Sequence, residues 1–348
     1  MTAPIFIIGT ERSGSNLLRL ILNSHPDITV PHPPHILKYF SPLADCYGDL
    51  TDPAQLTRLI QDVRGLIKSH IHPWPKIPSV AEIRAALTSP TLTGVFLAVY
   101  ETHRLKTGKR RWGCKSTFVI DHLEQVLAER PTARFLMLVR DPRDVAVSSR
   151  RSMFSPCHPW LIALLWQRQQ NAGLRALTRY PENFLPVRYE DLLTEPETTV
   201  RTICTFLGEE YTPTMLEFYR TGDAKKSSRL SACWRNTDQP IKPSNQGRYR
   251  RELTPEEIRL VEKICRPPME QFGYSCDTEN KDEAPVPSRL RKLGFHLLNL
   301  YWRLLVECRA LIHDRNYRLH WRRCWFLLRL TLSCKLRRAI DRQGESRS

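Results

Sequence analysis

The sequence lacks any run of about 18 uncharged apolar residues, which is the length that a membrane-spanning helix requires. Its amino terminus lacks the basic segment and the cleavage site of a signal peptide, so we expect neither a spanning helix nor a secretory leader. The ten cysteines are scattered, with no CxxC pair and no His/Cys spacing that is typical of a metal site. These absences predict a cytoplasmic protein that has reduced thiols and binds no metal.

A glycine-rich turn near the amino terminus lacks the lysine of a nucleotide-hydrolysing phosphate loop. The apolar residues 4–8 precede GTERSGSN at residues 9–16, and LLRLIL follows, which is the order of a buried strand, a turn and a helix. In GxxxxGK[ST], backbone N–H groups hold phosphates, the lysine reaches the terminal phosphoryl group, and the hydroxyl binds magnesium. Here Ser15 replaces the lysine and Asn16 replaces the hydroxyl. The loop is therefore predicted to bind a phosphate-bearing donor without magnesium, with Arg12 meeting the donor's charge.

A second apolar run, FLMLV at residues 135–139, is followed by RDPRDVAVSS. Arg140 ends this predicted strand, and Ser148 lies on the next predicted helix. Because the carboxyl ends of parallel strands meet at one edge of a sheet, both residues should face the same crevice as the first loop. A forked arginine beside a hydroxyl suits a phosphate monoester. The two loops together predict a clamp for a ligand that carries phosphate at two separated positions.

These motifs resemble those of the sulfotransferases that use 3′-phosphoadenosine-5′-phosphosulfate (PAPS). Residues 9–18 resemble the family's 5′-phosphosulfate loop in its RSGSN form, and residues 138–149 resemble its 3′-phosphate motif. Two further stretches agree in order and spacing, VRYEDL at 187–192 and NQGRYR at 245–250. The resemblance covers residues 4–275. A small glycine turn alone is common, so the signal comes from four motifs in the right order.

The resemblance implies an α/β fold, a three-layer sandwich with a central parallel sheet of the P-loop type, and the alternation of predicted strands and helices agrees with it. We expect a sulfotransferase domain over residues 1–276, an acidic, proline-bearing linker over 277–288, and a basic helical tail over 289–348. The implied reaction moves a sulfuryl group from PAPS to an acceptor, most often a hydroxyl, without a metal. The acceptor stays open among small molecules, lipids, glycans and peptides.

The resemblance also assigns roles to individual residues. Arg12 should stabilise the leaving 5′-phosphate, because the transition state spreads negative charge over the oxygens around the transferred group. Lys115, in GCKST, resembles the family's lysine near the sulfuryl group. The other predicted donor-binding residues are Ser13, Gly14, Ser15 and Asn16 at the 5′-phosphate, Arg140 and Ser148 at the 3′-phosphate, Tyr189 at the adenine, and Gln246, Gly247 and Arg248 in a segment that closes over the donor.

The general base that draws the proton from the acceptor is harder to assign. The tyrosine-modifying branch of the family has a glutamate in the region that is here HPDITVPHPPH, residues 25–35, and this sequence has none there. The small-phenol branch has a histidine just after the position of Lys115, where Thr117 stands here. Histidine has a pKa near neutrality, so His32 and His35 are the candidates, with His35 slightly favoured.

The net charge of +17 is concentrated in the tail. Residues 289–348 carry 15 Lys and Arg against 4 Asp and Glu, a net charge of +11. Apolar residues recur there at helical spacing in two stripes, Leu290, Leu293, Leu297, Tyr301, Leu304 and Leu305 in the first, and Trp321, Trp325, Leu328, Leu332 and Leu336 in the second. A basic amphipathic helix with tryptophan on its apolar face is typical of a peripheral membrane element. A helical hairpin packed on the domain is the alternative, and nucleic-acid binding is disfavoured because no recognition motif accompanies the charge.

Two alternative functions compete with sulfotransfer. A kinase-like phosphotransferase of the P-loop type would share the fold, but the absent GK[ST] and the lack of an evident magnesium carboxylate motif argue against it. An inactive, membrane-associated nucleotide-binding protein stays open, because the sequence does not identify the base.

Overall fold

The computed structural model describes residues 3–153, 155–230, 232–278, 287–313 and 317–345. The strands are β1 (Ile5–Gly9), β2 (Ile28–Thr29), β3 (Arg111–Lys115), β4 (Arg134–Val139) and β5 (Phe184–Arg188). They form one parallel five-stranded sheet in the order β2-β3-β1-β4-β5, with helices on both faces. This confirms the predicted α/β class with a central parallel sheet.

The pairing of the strands and the burial of the central ones define the sheet. Ile28 of β2 lies opposite Arg111 of β3, and β4 pairs with β5 from Phe135 opposite Phe184 onwards. The whole of β1 is buried, as is β4 apart from its first residue. Such continuous apolar strands are typical of parallel sheets that are covered on both faces.

The α-helices account for most of the rest of the described chain. They are α1 (Ser15–Asn23), α2 (Ile36–Phe40), α3 (Pro53–Lys68), α4 (Val80–Ala85), α5 (Leu92–Thr107), α6 (Leu123–Glu129), α7 (Pro142–Ser149), α8 (Pro159–Arg179), α9 (Tyr189–Thr194), α10 (Pro196–Leu207), α11 (Gly222–Leu230), α12 (Tyr249–Glu252), α13 (Pro255–Gln271), α14 (Arg289–His313) and α15 (Tyr317–Glu345). Among the described residues, no helix combines the length and the apolar character that crossing a bilayer requires.

The described residues divide into two compact units. The first contains those within 1–6, 25–133 and 315–348, and the second those within 7–24 and 134–314. Most of the predicted linker lies outside the described residues, since 279–286 are not among them. Helix α14 belongs to the second unit and α15 to the first.

Helix α14 packs against α8 within the second unit through one face only. The Asn299 side-chain oxygen accepts the backbone N–H groups of Cys157 and His158 at 2.8 and 3.2 Å. The His158 ring stacks on Phe295 and Trp302, with centroids 4.4 and 5.6 Å away. The six apolar residues of the first predicted stripe lie elsewhere on the helix and are all exposed.

Helix α15 packs within the first unit against α3 and the 3₁₀ helix Ser41–Tyr47. The ring of Phe326 lies where a side chain at Gly65 of α3 would have to stand. Leu330 and Cys334 on the same helix are buried, and burial raises the pKa of the Cys334 thiol to about 11. Helix α15 therefore packs on the first unit through one face and leaves the second predicted stripe exposed on another.

Candidate active site

The glycine-rich loop joins β1 to α1. Neighbouring atoms leave no room for a side chain at either of its glycines, Gly9 and Gly14. Gly9 has a φ of 132°, and a Cβ there would overlap the carbonyl oxygen of Leu138 in β4. Gly14 has a φ of 92°, and a Cβ there would overlap the ring of Tyr189. Only glycine adopts these conformations while allowing such close approach. The N-terminus of α1 thus lies directly beside the Tyr189 ring.

Arg12 connects the two predicted phosphate motifs. Its Nε donates to the Ser148 hydroxyl at 3.1 Å, and its carbonyl oxygen accepts from Nη1 of Arg140 at 3.0 Å. Arg12 has a φ of 73°, and His35 is the other non-glycine residue with positive φ among those described. A non-glycine residue in this region costs about 1–3 kcal/mol, a strain that clusters at functional sites. The structure therefore brings Arg12, Arg140 and Ser148 together.

Arg140 is buried at the centre of this network. Its Nη2 donates to the carbonyl oxygen of Asn245 at 2.9 Å, and its guanidinium lies 4.5 Å from the centroid of the Tyr189 ring. The Asn245 amide donates to the Tyr189 hydroxyl at 2.9 Å. The indole N–H of Trp166 donates to the Arg140 carbonyl at 3.0 Å. The orientation of Arg140 is thus fixed from several sides.

The segment around Gly247 is held by Asp144 of α7. The carboxylate of Asp144 accepts the N–H groups of Gly247 and Tyr249 at 2.6 and 3.0 Å. Gln246 lies between Asn245 and Gly247 and is half-buried. The guanidinium of Arg248 pairs with Glu252 at 2.7 Å. The backbone of this segment therefore lies at the network, while the Arg248 side chain extends along α12.

Three buried polar atoms of this region have no hydrogen-bond partner within the described chain. They are the hydroxyl of Ser13, the side-chain nitrogen of Asn16 and Nε of Arg140. Leaving a buried polar group without a partner costs about 1–3 kcal/mol. Ser15 is also buried, at the first position of α1. Hydroxyl, amide and guanidinium donors beside a helix N-terminus fit a ligand with several anionic oxygens.

The other predicted catalytic residues lie in the first unit, where β3 ends at Lys115. His35 stands at the N-cap of α2, and its Nδ1 lies 3.0 Å from the hydroxyl of Ser116. The ring of Phe118 meets the His35 ring edge-on at 5.4 Å. Burial holds the pKa of His35 well below its ordinary value of 6.5, and the positive charges of Lys115 and Arg323 lower it further. His35 is therefore neutral at neutral pH.

His32 lies in a different environment. Its ring is buried and stacks on His72 at 5.2 Å, with the His70 ring 5.1 Å away. Its carbonyl oxygen accepts the indole N–H of Trp74 at 2.8 Å. His32 thus belongs to a buried cluster of imidazoles, whereas His35 lies beside the end of β3.

Sequence reasoning missed Arg323, which lies on the inner face of α15. Only 7% of it is exposed, its Nη2 approaches the Pro34 carbonyl at 3.5 Å, and its guanidinium lies 5.0 Å from the Tyr39 ring centroid. No carboxylate pairs with it among the residues that the structure describes. Its position on the face of α15 opposite Trp321 and Trp325 was the only signal in the sequence. Sequence reasoning also missed Asn245, which contacts Arg140 and Tyr189, and Ser116, which contacts His35.

Comparison with known proteins identifies the class. The family model described as "Sulfotransferase family" matches residues 4–213, and a second, "Sulfotransferase domain", matches residues 161–273. The first match covers more than half of the chain, so the protein belongs to the sulfotransferase family. This confirms the resemblance and favours sulfotransfer over the kinase-like alternative.

Individual relatives are distant. The chain is 24% identical over 284 residues to protein-tyrosine sulfotransferase 1 of Danio rerio, covering 78% of this chain and 72% of that protein. It is 28% identical over 178 residues to carbohydrate sulfotransferase 7 of Mus musculus, covering 48% of this chain and 34% of that protein. Among solved structures, the sulfotransferase domain of the Synechococcus PCC 7002 olefin synthase has a TM-score of 0.53 at 20% identity, covering 79% of this chain and 96% of that one. That likeness shows the fold.

Proposed function

We propose that this sulfotransferase uses PAPS as its donor and transfers the sulfuryl group to a hydroxyl. The observation that supports the donor is the network of Arg12, Arg140 and Ser148, surrounded by buried polar atoms that the protein itself does not pair. The loop has Ser15 and Asn16 where a nucleotide hydrolase has its lysine and magnesium-binding hydroxyl, so transfer is proposed to need no metal.

In the proposed reaction, an oxygen–sulfur bond forms between the acceptor hydroxyl and the sulfuryl group. The bond from sulfur to the bridging 5′-phosphate oxygen breaks, leaving 3′-phosphoadenosine-5′-phosphate (PAP). Arg12 neutralises the charge that develops on that phosphate, and Lys115 stabilises the sulfuryl oxygens. The hydroxyl proton passes to His35.

His35 suits the role of base through its tautomer and its pKa. In the tautomer whose Nδ1–H donates to the Ser116 hydroxyl, Nε2 carries the lone pair that accepts a proton. Its depressed pKa keeps that lone pair available at neutral pH. His32 is proposed instead to shape the surrounding pocket from its buried cluster.

The acceptor is proposed to be a hydroxyl of a small molecule, a lipid, a glycan or a peptide. The relatives support this breadth, since their names specify protein tyrosine in one case and carbohydrate in another. Both are hydroxyl acceptors, for which one base and one donor site suffice.

Donor binding tests the proposal directly. Wild-type protein should bind PAP far more tightly than ATP in calorimetry, and a metal chelator should change neither affinity. Arg140→Ala and Ser148→Ala should each lower the affinity for PAP about tenfold or more. Neither should change ATP binding much, because they remove contacts to a 3′-phosphate that ATP lacks. Equal affinity for the two nucleotides, or a strict magnesium requirement, would refute the donor assignment. Thermal unfolding of each variant checks that the buried network still folds.

Arg323 should tune the pKa of His35. Its positive charge lowers that pKa, so Arg323→Ala should raise it, and the acidic limb of the rate profile should move to higher pH because the base must be neutral. Arg322→Ala, an exposed neighbour on the same helix, removes the same charge and is the control. A profile that shifts equally in both variants, or in neither, would show that Arg323 does not act on the base.

A further inference from the structure

Helix α15 has a second apolar face that the first unit does not cover. Its inner face, with Arg323, Leu330 and Cys334, is buried, and the helix packs against α3 and the 3₁₀ helix Ser41–Tyr47. The residues of the outer stripe are at least half exposed: Trp321 at 51%, Trp325 at 59%, Leu328 at 50%, Leu332 at 51% and Leu336 at 65%. The packing of α15 therefore does not account for these side chains.

The spacing of the outer stripe makes it continuous. At about 3.6 residues per turn, positions 321, 325, 328, 332 and 336 fall within roughly a quarter of the helix circumference. Soluble monomers rarely expose contiguous apolar surface of this kind without a binding role. Both aromatic residues are tryptophans, which favour the boundary between water and an apolar phase.

Positive charge accompanies the outer stripe. Arg318, Arg322, Arg329 and Lys335 are exposed on the same helix, and residues 317–340 contain no Asp or Glu. This charge disfavours a second copy of the chain as the occupant, because a symmetric contact would bring like charges together. The apolar centre of the stripe disfavours nucleic acid as the occupant, because nucleic acid would leave the exposed tryptophan and leucine side chains without an apolar partner. An anionic amphiphile matches both properties.

We propose that the outer stripe of α15 docks the protein on an anionic phospholipid surface. The tryptophan and leucine side chains enter the boundary between headgroups and acyl chains, while the flanking arginines and Lys335 bind lipid phosphates. Because other residues of α15 hold it on the unit, docking needs no unfolding. This proposal does not depend on the donor or on the transfer chemistry.

Vesicle binding by the full chain tests the proposal. The protein should sediment with vesicles of equal parts phosphatidylcholine and phosphatidylglycerol, weakly with phosphatidylcholine alone, and should keep part of its binding in high salt. The double variant Trp325→Glu, Leu328→Glu should lose at least about tenfold in affinity, because two apolar insertions are removed. The double variant Arg322→Gln, Arg329→Gln should lose about fivefold in vesicle affinity per arginine, and its remaining binding should depend less on salt.

A matched control variant shows whether vesicle binding depends on the outer stripe or on any exposed leucine. Leu105 on α5, in the same unit, is 58% exposed, so Leu105→Glu should leave vesicle binding unchanged. Circular dichroism should show that all variants fold like the wild type, because every substituted side chain is exposed. The proposal is overturned if the wild type ignores anionic vesicles or if Leu105→Glu costs as much as the double variant. A wild-type dimer in light scattering that the double variant dissociates would also overturn it, since a second copy would then cover the stripe.

Discussion

Replacing His35 by asparagine should lower turnover by about 10²-fold or more, because a positioned general base contributes about 10²–10⁴ to the rate. Asparagine keeps a polar group near the Ser116 hydroxyl, so the change removes the proton acceptor with little change in shape. Steady-state rates across pH measure the effect. The wild-type rate should stay level through neutrality and fall only in acid, as His35 becomes protonated at its depressed pKa.

His32→Asn is the paired comparison. His32 stacks within a buried imidazole cluster, so its substitution should change acceptor binding and stability more than the pH profile. If His32→Asn rather than His35→Asn removes the acidic limb, the base has been assigned to the wrong histidine. If neither variant changes turnover, the proton leaves by another route.

Replacing Arg12 by alanine should also lower turnover by about 10²-fold or more, the range found when a charge-stabilising donor is lost from a transition state. PAP affinity should fall less than turnover, because the charge on the bridging oxygen develops fully only during transfer. Rapid-quench measurement of a single turnover separates the chemical step from product release. A rate within a few-fold of wild type would remove Arg12 from the mechanism.

Two controls sharpen this test. Arg179→Ala deletes an exposed arginine at the end of α8 and should change nothing. Ser148→Ala removes the hydroxyl that accepts from Nε of Arg12, so it should reproduce part of the loss without removing the charge. A larger effect from Ser148→Ala than from Arg12→Ala would contradict the order of importance proposed for the two residues.

The grouping of Arg12, Arg140 and Ser148 could be predicted from sequence because local signals and fold rules specify it together. The buried run of β1, the glycine turn and α1 are contiguous, and the rule that parallel strands end at one edge brings Arg140 to the same place. The contact of Arg12 with Ser148, 136 positions apart, follows from these two facts. Spacing alone, however, did not specify the hydrogen bonds of Asn245, which depend on where Asp144 holds its segment.

Elsewhere, local breaks and tertiary contacts overrode the apolar pattern of the sequence. The sequence of residues 80–106 has the apolar periodicity of one helix, but the structure has two, α4 and α5. Proline at position 90 disfavours a continuous helix, and the Thr91 hydroxyl accepts the Gly94 N–H at 2.8 Å to begin α5. The stretch 221–250 is polar and poor in apolar periodicity, which is typical of a loop, yet it contains α11.

Helix α11 is held by a contact that polarity alone does not reveal. Asp223 pairs at 2.7 Å with Arg19, which is fully buried on α1. The position of Arg323 was equally hidden, because it is one of 15 Lys and Arg in the tail and only packing distinguishes it from its exposed neighbours. Long-range ion pairs and buried charges therefore set the limit of what sequence reasoning could find.

Transfer of sulfur label from PAPS is the measurement that tests the central claim most directly. A cell lysate would be fractionated into lipid, glycan, peptide and small-molecule pools. Each pool would be incubated with labelled PAPS and chelator, in parallel reactions that contain wild-type protein, the Arg12→Ala variant or no added protein. The proposed function predicts label in at least one pool with the wild type, reduced about 10²-fold or more with Arg12→Ala. Unlabelled pools from a wild type that still binds PAP would contradict it and favour a nucleotide-binding protein without transferase activity.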